Sequence, residues 1–403
     1  MFLSILLAVA LGCLMGVVTG ITPGLHINLV AVILLSASPF LLGYTNIIAV
    51  AAFIIAMSIT HTFTDFISST YLGAPSDDTA LAMLPAHRML LKGMGHEAVR
   101  LTVIGSLLCL VFTMIISPLL IISVPVIFSF LKDYIGWILT AVLIFMILRE
   151  KNRDKIFWNF IIVALAGILG IIALNMPGLE DPLLPMFSGL FGISVLLLSL
   201  NKKTALPKQR TTETIHVEKK EIAKAVASSI FSGSMVSIFP GLGPAQAAVL
   251  ASQITSRLKE YSYLILVGGI NTVSMIMSLI TFLTIDKARN GSIAVVQQLT
   301  GSIDIRILIL FFSIALLSGG LATFLTLYTS RAFSSLINRI NYNFLTIFII
   351  AFVFSLVFYF SGFVGLLVLI VATSIGLIPN VMELNRSNLM ACLLVPVILM
   401  SLL

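Results

Sequence analysis

The sequence predicts an all-α polytopic membrane protein made of two inverted repeats, each a Pro-Gly-broken helical hairpin followed by about five transmembrane helices. Three observations support this fold class: the apolar composition, two similar Pro-Gly breaks and an uneven distribution of basic residues. Apolar residues make up 59 % of the 403 residues and charged residues 10 %, with a mean hydropathy of +1.14. Soluble proteins contain about 45–50 % apolar residues, so a water-soluble fold is excluded.

Apolar segments long enough to cross about 30 Å of hydrocarbon recur along the whole chain. Two apolar segments, 2–43 and 221–256, are broken in the middle by Pro-Gly, and each is either a pair of crossings or one hairpin. No Lys or Arg precedes Arg88, so the first helix lacks the basic region of a cleavable signal peptide and is expected to be retained. The uninterrupted crossings are predicted at 46–72, 100–130, 134–148, 156–175, 183–200, 261–285, 303–330, 342–361, 364–379 and 387–403.

The two broken segments align with each other at one constant offset, which indicates an internal repeat. Chance similarity between apolar segments is the alternative, but the rare Pro-Gly falls in register at the start of each half. The chain therefore divides into a first transmembrane repeat at 1–200, a linker at 201–220 and a second, inverted repeat at 221–403. The matched pairs are Gly16 with Gly233, Ile21 with Ile238, Pro23 with Pro240 and Gly24 with Gly241.

The distribution of basic residues predicts the orientation of a multi-pass protein in the cell membrane. If each broken segment is a hairpin, five crossings follow it in each half. This odd number inverts the second half, and placing Met1 outside puts both termini outside. All but four of the 23 Lys and Arg residues then fall in cytoplasmic loops, as the positive-inside rule requires. The net charge of +7 therefore reflects these loops and not nucleic-acid binding. The four exceptions are Lys132, Lys287, Arg289 and Arg306.

The linker at 201–220 is rich in Lys, Thr and Glu and is predicted to be a flexible cytoplasmic segment. A regulatory surface or a contact with anionic lipid is the alternative.

The two Pro-Gly breaks predict a central substrate site. Irregular backbone inside a membrane is tolerated where it is buried in protein or lines a cavity, and the helix that starts at each break directs its free N–H groups and positive dipole end at an anion. The alternative for each break is a Pro kink that only shapes helix packing. The alternative for His26 is a histidine that has only a structural role in the protein core. The predicted substrate-binding residues are Thr22, Pro23, Gly24, His26, Asn28, Pro240, Gly241, Gly243, Gln246, Asn271 and Ser274.

The crossing at 46–72 carries a polar stripe that predicts a proton or sodium site. Its polar residues, among them His61 and Asp65, recur at helical spacings of three and four. Such a stripe is expensive against lipid and should face the central cavity. The predicted coupling residues are His61, Asp65 and Asp77. A structural hydrogen bond is the alternative for Asp65, and capping of the next helix is the alternative for Asp77.

No motif in the sequence predicts an enzyme or a metal site. A Walker loop, HExxH and GxSxG are all absent, and Cys13, Cys109 and Cys392 lie singly in apolar runs. We therefore expect no cofactor, apart from a coupling ion such as H⁺ or Na⁺.

The segment Gly16–Leu25, its echo 238–244 and the two-half layout resemble the large, TctA-like permease subunit of tripartite tricarboxylate transporters, in particular the short archaeal-type members. This resemblance implies ion-driven uptake of a di- or tricarboxylate such as citrate. It also implies two partners, a small membrane subunit and an extracytoplasmic solute-binding protein.

The functional hypothesis is a secondary active transporter, or permease, that carries a small organic anion across the lipid membrane by alternating access. One alternative is a flippase for a polyprenyl-phosphate lipid carrier, because the hairpin N-termini suit a phosphate equally well. Another is an intramembrane enzyme that uses His26, His61, Asp65 or Asp77.

Overall fold

The computed structural model describes residues 2–22, 27–73, 79, 83–148, 150, 152–179, 182–201, 207–211, 215–238, 244, 247–248, 251, 258–337, 342–382 and 384–402. Helices joined by short loops make up these residues, and no β-strand occurs in the part of the chain so described. The predicted all-α polytopic fold is confirmed.

The first half begins with two helices on either side of the first Pro-Gly break. One of its later helices continues into a π-helical turn at Ser68–Leu72, and a second π-helical segment, Ser188–Ile193, directly precedes its last helix. Its helices are α1 (Phe2–Ile21), α2 (Ile27–Ser36), α3 (Ser38–Leu41), α4 (Ile47–Ile67), α5 (Met83–Leu90), α6 (Gly95–Leu131), α7 (Ile135–Leu148), α8 (Arg153–Leu174), α9 (Leu183–Phe187) and α10 (Ser194–Asn201).

The second half begins with a helix that stops at the second Pro-Gly break and ends with a short 3-10 helix, Arg386–Met390, before the last helix. Its helices are α11 (Lys219–Ile238), α12 (Glu260–Ile285), α13 (Gly291–Thr300), α14 (Ile305–Ile337), α15 (Tyr342–Val381) and α16 (Ala391–Leu402). The sequence did not predict α13.

Seven helical runs in the described residues are long and apolar enough to cross a membrane. The two longest, Gly95–Leu148 with 54 residues and Thr346–Val381 with 36 residues, far exceed the roughly 20 residues that one crossing requires. Each contains an interruption where the sequence predicts two separate crossings. A 3-10 turn at Lys132–Tyr134 separates α6 from α7, and Gly362 (φ +59°) interrupts α15.

The helices α4 and α12 form the centre of the molecule. Nearly all of their residues are buried, whereas the outer helices expose large apolar side chains on one face. On α1 the exposed residues include Leu3, Leu7, Leu11 and Leu14, which recur at the spacing of one helix face. The outer apolar face suits lipid tails, and the central pair is shielded from them.

Small residues let α1 approach α4 closely. Gly12, Gly16 and Gly20 are spaced four residues apart, so they lie on one face of α1. A Cβ atom at Gly16 would lie 2.5 Å from the Met57 carbonyl oxygen, which is closer than van der Waals contact. This arrangement of small residues is typical of helix pairs in membranes.

A long helix of each half packs on the central helix of the other half. The helix α6 of the first half packs on α12, and α14 of the second half packs on α4. Backbones touch at the first of these crossings, because a Cβ atom at Gly105 on α6 would overlap the carbonyl oxygen of Ile265 on α12. Each central helix is therefore held by both halves.

Residues 207–211, a part of the predicted linker, are anchored to the ends of α5 and α6. The Gln209 amide donates to the Leu90 carbonyl oxygen at 2.9 Å and accepts from the Gly95 N–H at 3.1 Å. Arg210 Nε lies 3.2 Å from the buried carboxylate of Glu97. These bonds use backbone groups and a charge that the sequence pattern could not pair.

His87 on α5 predicts a pH dependence of stability. Complete burial lowers the pKa of His87 to about 4, from an ordinary value of 6.5, although a hydrogen bond to the Thr70 carbonyl acts in the opposite direction. The folded state therefore keeps this imidazole neutral between pH 6.5 and 4, while the unfolded state binds a proton. Stability is present above pH 6.5 and is lost as the pH falls toward 4.

We expect this loss to reach about 2 kcal/mol of unfolding free energy at pH 5. The measurement compares the unfolding midpoints of the wild type and His87→Gln at pH 7 and pH 5, where the variant should lose less stability than the wild type. His216→Gln is the control, because His216 is exposed. An equal loss in all three proteins would contradict the prediction.

Candidate ion and substrate site

The predicted polar stripe of α4 lies at the centre of the molecule. Asp65 is 2 % exposed and His61 is 4 % exposed. Below Asp65 the helix continues as a π-helix, and the Ser68 hydroxyl donates to the Asp65 carbonyl oxygen at 2.8 Å. Gly73 then ends the helix in a left-handed conformation (φ +61°). π-helical turns of this kind occur frequently at functional sites.

Asp65 is hydrogen-bonded to the other half of the chain. Asn271 Nδ2 on α12 donates to Asp65 Oδ2 at 3.0 Å, and both residues are buried. The hydroxyl oxygens of Thr62 and Thr272 lie 3.2 Å apart at the same interface. The α4 stripe therefore contacts polar groups of α12. If the stripe faced lipid instead, its polar side chains would have no hydrogen-bond partners.

His61 connects the stripe to α1. Its Nδ1 atom lies 3.0 Å from the hydroxyl oxygen of Thr19, and that hydroxyl donates to the Gly16 carbonyl oxygen at 3.1 Å. Because the Thr19 proton is directed at this carbonyl, the arrangement fits a His61 tautomer that carries its proton on Nδ1. The Thr64 hydroxyl also donates to the Gly16 carbonyl oxygen, at 3.0 Å.

A second set of polar residues, on α12, meets the end of α11. The Ser237 hydroxyl, near the end of α11, donates to Ser274 Oγ at 3.2 Å. Ser278, one turn further along α12, accepts from the backbone N–H groups of Arg289 and Asn290, both at 2.9 Å. Ser274 is half-buried in a run of buried residues, so this point of α12 is the accessible one.

Arg289 is a candidate site residue that the site prediction missed. Its Nη2 atom donates to the carbonyl oxygen of Ile238 at 2.8 Å, and Ile238 is the last residue of α11 before the second break. The guanidinium carbon lies 5.4 Å from the centre of the Phe128 ring. Burial lowers the pKa of Arg289 from its ordinary value. The available signal was that Arg289 breaks the positive-inside pattern.

The described residues include only part of the predicted site. Thr22 is half-buried just after α1, where its N–H donates to the Val18 carbonyl oxygen at 3.1 Å, and Asn28 lies in the first turn of α2. No group of three or more His, Cys, Asp or Glu residues in the described ranges could hold a metal ion. The predicted residues outside the described ranges are Pro23, Gly24, His26, Asp77, Pro240, Gly241, Gly243 and Gln246.

Comparison of the sequence with known protein families identifies the family of this chain. The model of the tripartite tricarboxylate transporter TctA family matches residues 6–391. This chain belongs to the TctA family. A TctA-family chain is a transporter permease and not an enzyme, so this protein is a multi-pass membrane permease. The predicted resemblance is thereby confirmed.

A relative of this TctA-family chain is the uncharacterized protein MJ1079 of Methanocaldococcus jannaschii. The two sequences are 31 % identical over 404 residues, which cover 98 % of each chain. No solved structure matches the chain.

Proposed function

We propose that this chain is an ion-coupled permease that carries a di- or tricarboxylate by alternating access. The observation that carries the proposal is the buried hydrogen bond between Asp65 and Asn271, which joins the two halves of a TctA-family chain. Alternating access requires the halves to move against each other, and an ion site at their interface can respond to that movement. Membership of a tricarboxylate transporter family supports the substrate class.

Asp65 is the proposed site of the coupling ion, with His61 beside it. The Asn271 amide donates a hydrogen bond to this buried carboxylate but carries no charge of its own. A proton or a sodium ion at Asp65 would remove or balance the negative charge and lower the free energy of the buried site. Such a change is the kind of event that couples ion binding to a conformational step.

The two halves are proposed to be inverted repeats with boundaries at 1–200 and 221–403. Equivalent glycines make equivalent contacts, which supports the proposal. A Cβ atom at Gly16 would approach the Met57 carbonyl oxygen on α4, and one at Gly233 would lie 3.5 Å from the Ile270 carbonyl oxygen on α12. The first limb of each hairpin therefore packs on the next long helix at corresponding points.

This correspondence gives the two halves different chemical roles. Asp65 follows Met57 by as many residues as Ser278 follows Ile270, so Ser278 is the counterpart of Asp65. Where the first half has a carboxylate for a cation, the second half has a hydroxyl that holds the loop carrying Arg289. We propose that the first half binds the coupling ion and that the second half supplies the positive charge that attracts the anion.

The proposed topology places both termini outside and the 201–220 linker in the cytoplasm of the cell that bears the protein in its membrane. The TctA family is tripartite, so the proposed partners are a small membrane subunit and an extracytoplasmic solute-binding protein. The substrate is proposed to bind between the two broken hairpins, at the predicted residues around Pro23 and Pro240.

The test is the thermal stability of the purified protein in detergent with citrate, succinate, inorganic phosphate or a short polyprenyl phosphate. Each is measured with and without sodium at two pH values. A ligand at about 100 times its dissociation constant should stabilise the protein by about 2.7 kcal/mol. Stabilisation by citrate or succinate that depends on sodium or pH is expected. Stabilisation by the polyprenyl phosphate alone would contradict the carboxylate assignment and favour lipid transport.

A further inference from the structure

Two basic side chains lie in a loop where the charge pattern of the chain predicts none. The loop between α12 and α13 contains Lys287 and Arg289, and the proposed topology places it outside. Basic residues are disfavoured there, although not excluded. A position that departs from this rule needs a separate physical reason.

The structure fixes Arg289 next to the second hairpin break. Asp286 caps α12 in a left-handed conformation (φ +51°) and turns the chain back. Ser278 then accepts from the Arg289 N–H at 2.9 Å. The side chain extends to the end of α11, where it donates to Ile238 at 2.8 Å. The guanidinium is therefore held at both its backbone and its tip.

Capping of α11 is the simplest role for this side chain, because cations stabilise the carbonyl end of a helix. Capping uses one of the five N–H donors of the guanidinium. The Nε atom of Arg289 is buried and has no hydrogen-bond partner among the residues that the structure describes. Burying an unsatisfied donor costs free energy, so the arrangement is more favourable when an acceptor binds there.

The shape of the guanidinium selects the kind of acceptor. Its planar fork matches a carboxylate with two parallel N–H···O bonds, and the charge strengthens both. Phe128 lies beside the guanidinium, with its ring centre 5.4 Å from the guanidinium carbon. Ser234, one turn before the end of α11, also has a buried hydroxyl without a partner in the described residues. The neighbourhood therefore offers donors to an anion.

We propose that Arg289 binds one carboxylate of the transported anion at the second hairpin break and selects for multiply charged substrates. This inference rests on the proposed function and adds the residue that recognises charge. Asn271 and Ser278 are seven residues apart on α12, or about 10 Å along the helix. The anion at Arg289 and the ion at Asp65 therefore occupy separate subsites, and a cation at Asp65 weakens the repulsion between its carboxylate and the bound anion.

The experiment measures citrate, succinate and acetate binding to the full-length protein in nanodiscs. Arg289→Gln is expected to bind citrate and succinate about 10- to 100-fold more weakly than the wild type. Its loss should be smaller for acetate, which carries a single charge. Arg289→Lys keeps the charge without the fork and should fall between the two. Arg306→Gln is the matched control, because it removes an exposed basic residue from the first turn of α14, on the same side of the proposed membrane topology.

A capping role alone would lower the unfolding temperature and leave the order of affinities unchanged, so it is distinguishable by its effect on selectivity. Equal citrate and succinate affinity in Arg289→Gln and the wild type would overturn this inference and leave the proposed function standing. A wild-type protein that binds none of the three carboxylates would overturn the proposed function, and this inference with it.

Discussion

Replacing Asp65 with Asn is expected to abolish the ion dependence of substrate binding and uptake while the protein still inserts and folds. The Asn side chain has nearly the same shape, and its carbonyl oxygen can still accept from Asn271, which is 3.0 Å away in the wild type. It cannot bind a proton in the physiological range or supply a full negative charge to sodium. Coupling between two ligands is typically worth about 5- to 150-fold in affinity, and this factor should disappear. Citrate binding with and without sodium, at pH 6 and pH 8, measures it directly.

Thr62→Val is the matched control for Asp65→Asn. Thr62 lies one turn before Asp65 and faces Thr272 across the same interface at 3.2 Å. Valine has a similar shape, so the substitution removes a contact between the halves but no charge. We expect this variant to keep its ion dependence with only a modest loss of stability. Ion-dependent uptake at the wild-type level in Asp65→Asn would refute the coupling role.

The sequence predicted the position of the α4 stripe because helical periodicity determines which side chains share a face. His61 and Asp65 are four residues apart, and both are buried. The cost of exposing such groups to lipid then predicts that the face points inward. This argument requires only local spacing and the bilayer as solvent.

The partners of that stripe could not be predicted, because they come from residues far away in the chain. Asn271 reaches Asp65 only because α4 and α12 pack together, and the separation of about 200 residues leaves no local pattern. Arg289 is a similar case. Its side chain reaches Ile238 because Ser278 holds the loop, and neither contact is visible in spacing or composition.

The linker shows a limit of composition as a guide. Polar residues with few large apolar ones predict a flexible segment, yet Gln209 is 5 % exposed and bonds to two backbone groups. The carbonyl groups at the end of α5 and the N–H groups at the start of α6 lack partners within their own helices, and the Gln209 amide bonds to one group of each type. The backbone groups at the helix ends therefore determine where Gln209 binds, and the composition of the linker contains no information about them.

Gly105→Val is expected to have the largest effect on stability of any substitution considered for this protein. A Cβ atom at Gly105 would overlap the Ile265 carbonyl oxygen on α12. In the same way, a Cβ atom at Gly268 on α12 would overlap the carbonyl oxygen of Thr102 on α6. Neither backbone can move aside without separating α6 from α12. Overpacking in a filled core usually costs about 1–3 kcal/mol, and contact with the backbone of α12 at both Ile265 and Gly269 places this substitution at or above the upper end of that range. Thermal unfolding in detergent measures the loss.

Gly320→Val is the control for Gly105→Val, since Gly320 also lies within a long helix but a Cβ atom there would meet nothing within 4 Å. Both substitutions add the same side chain to a membrane helix, so the difference between them isolates the contact between α6 and α12. That contact positions α12, which carries Asn271, and its loss should weaken ion-dependent citrate binding even at temperatures where the variant remains folded. If the two variants unfold at the same temperature, close packing of α6 on α12 is not what holds the halves together, and the Asp65 site depends on other contacts.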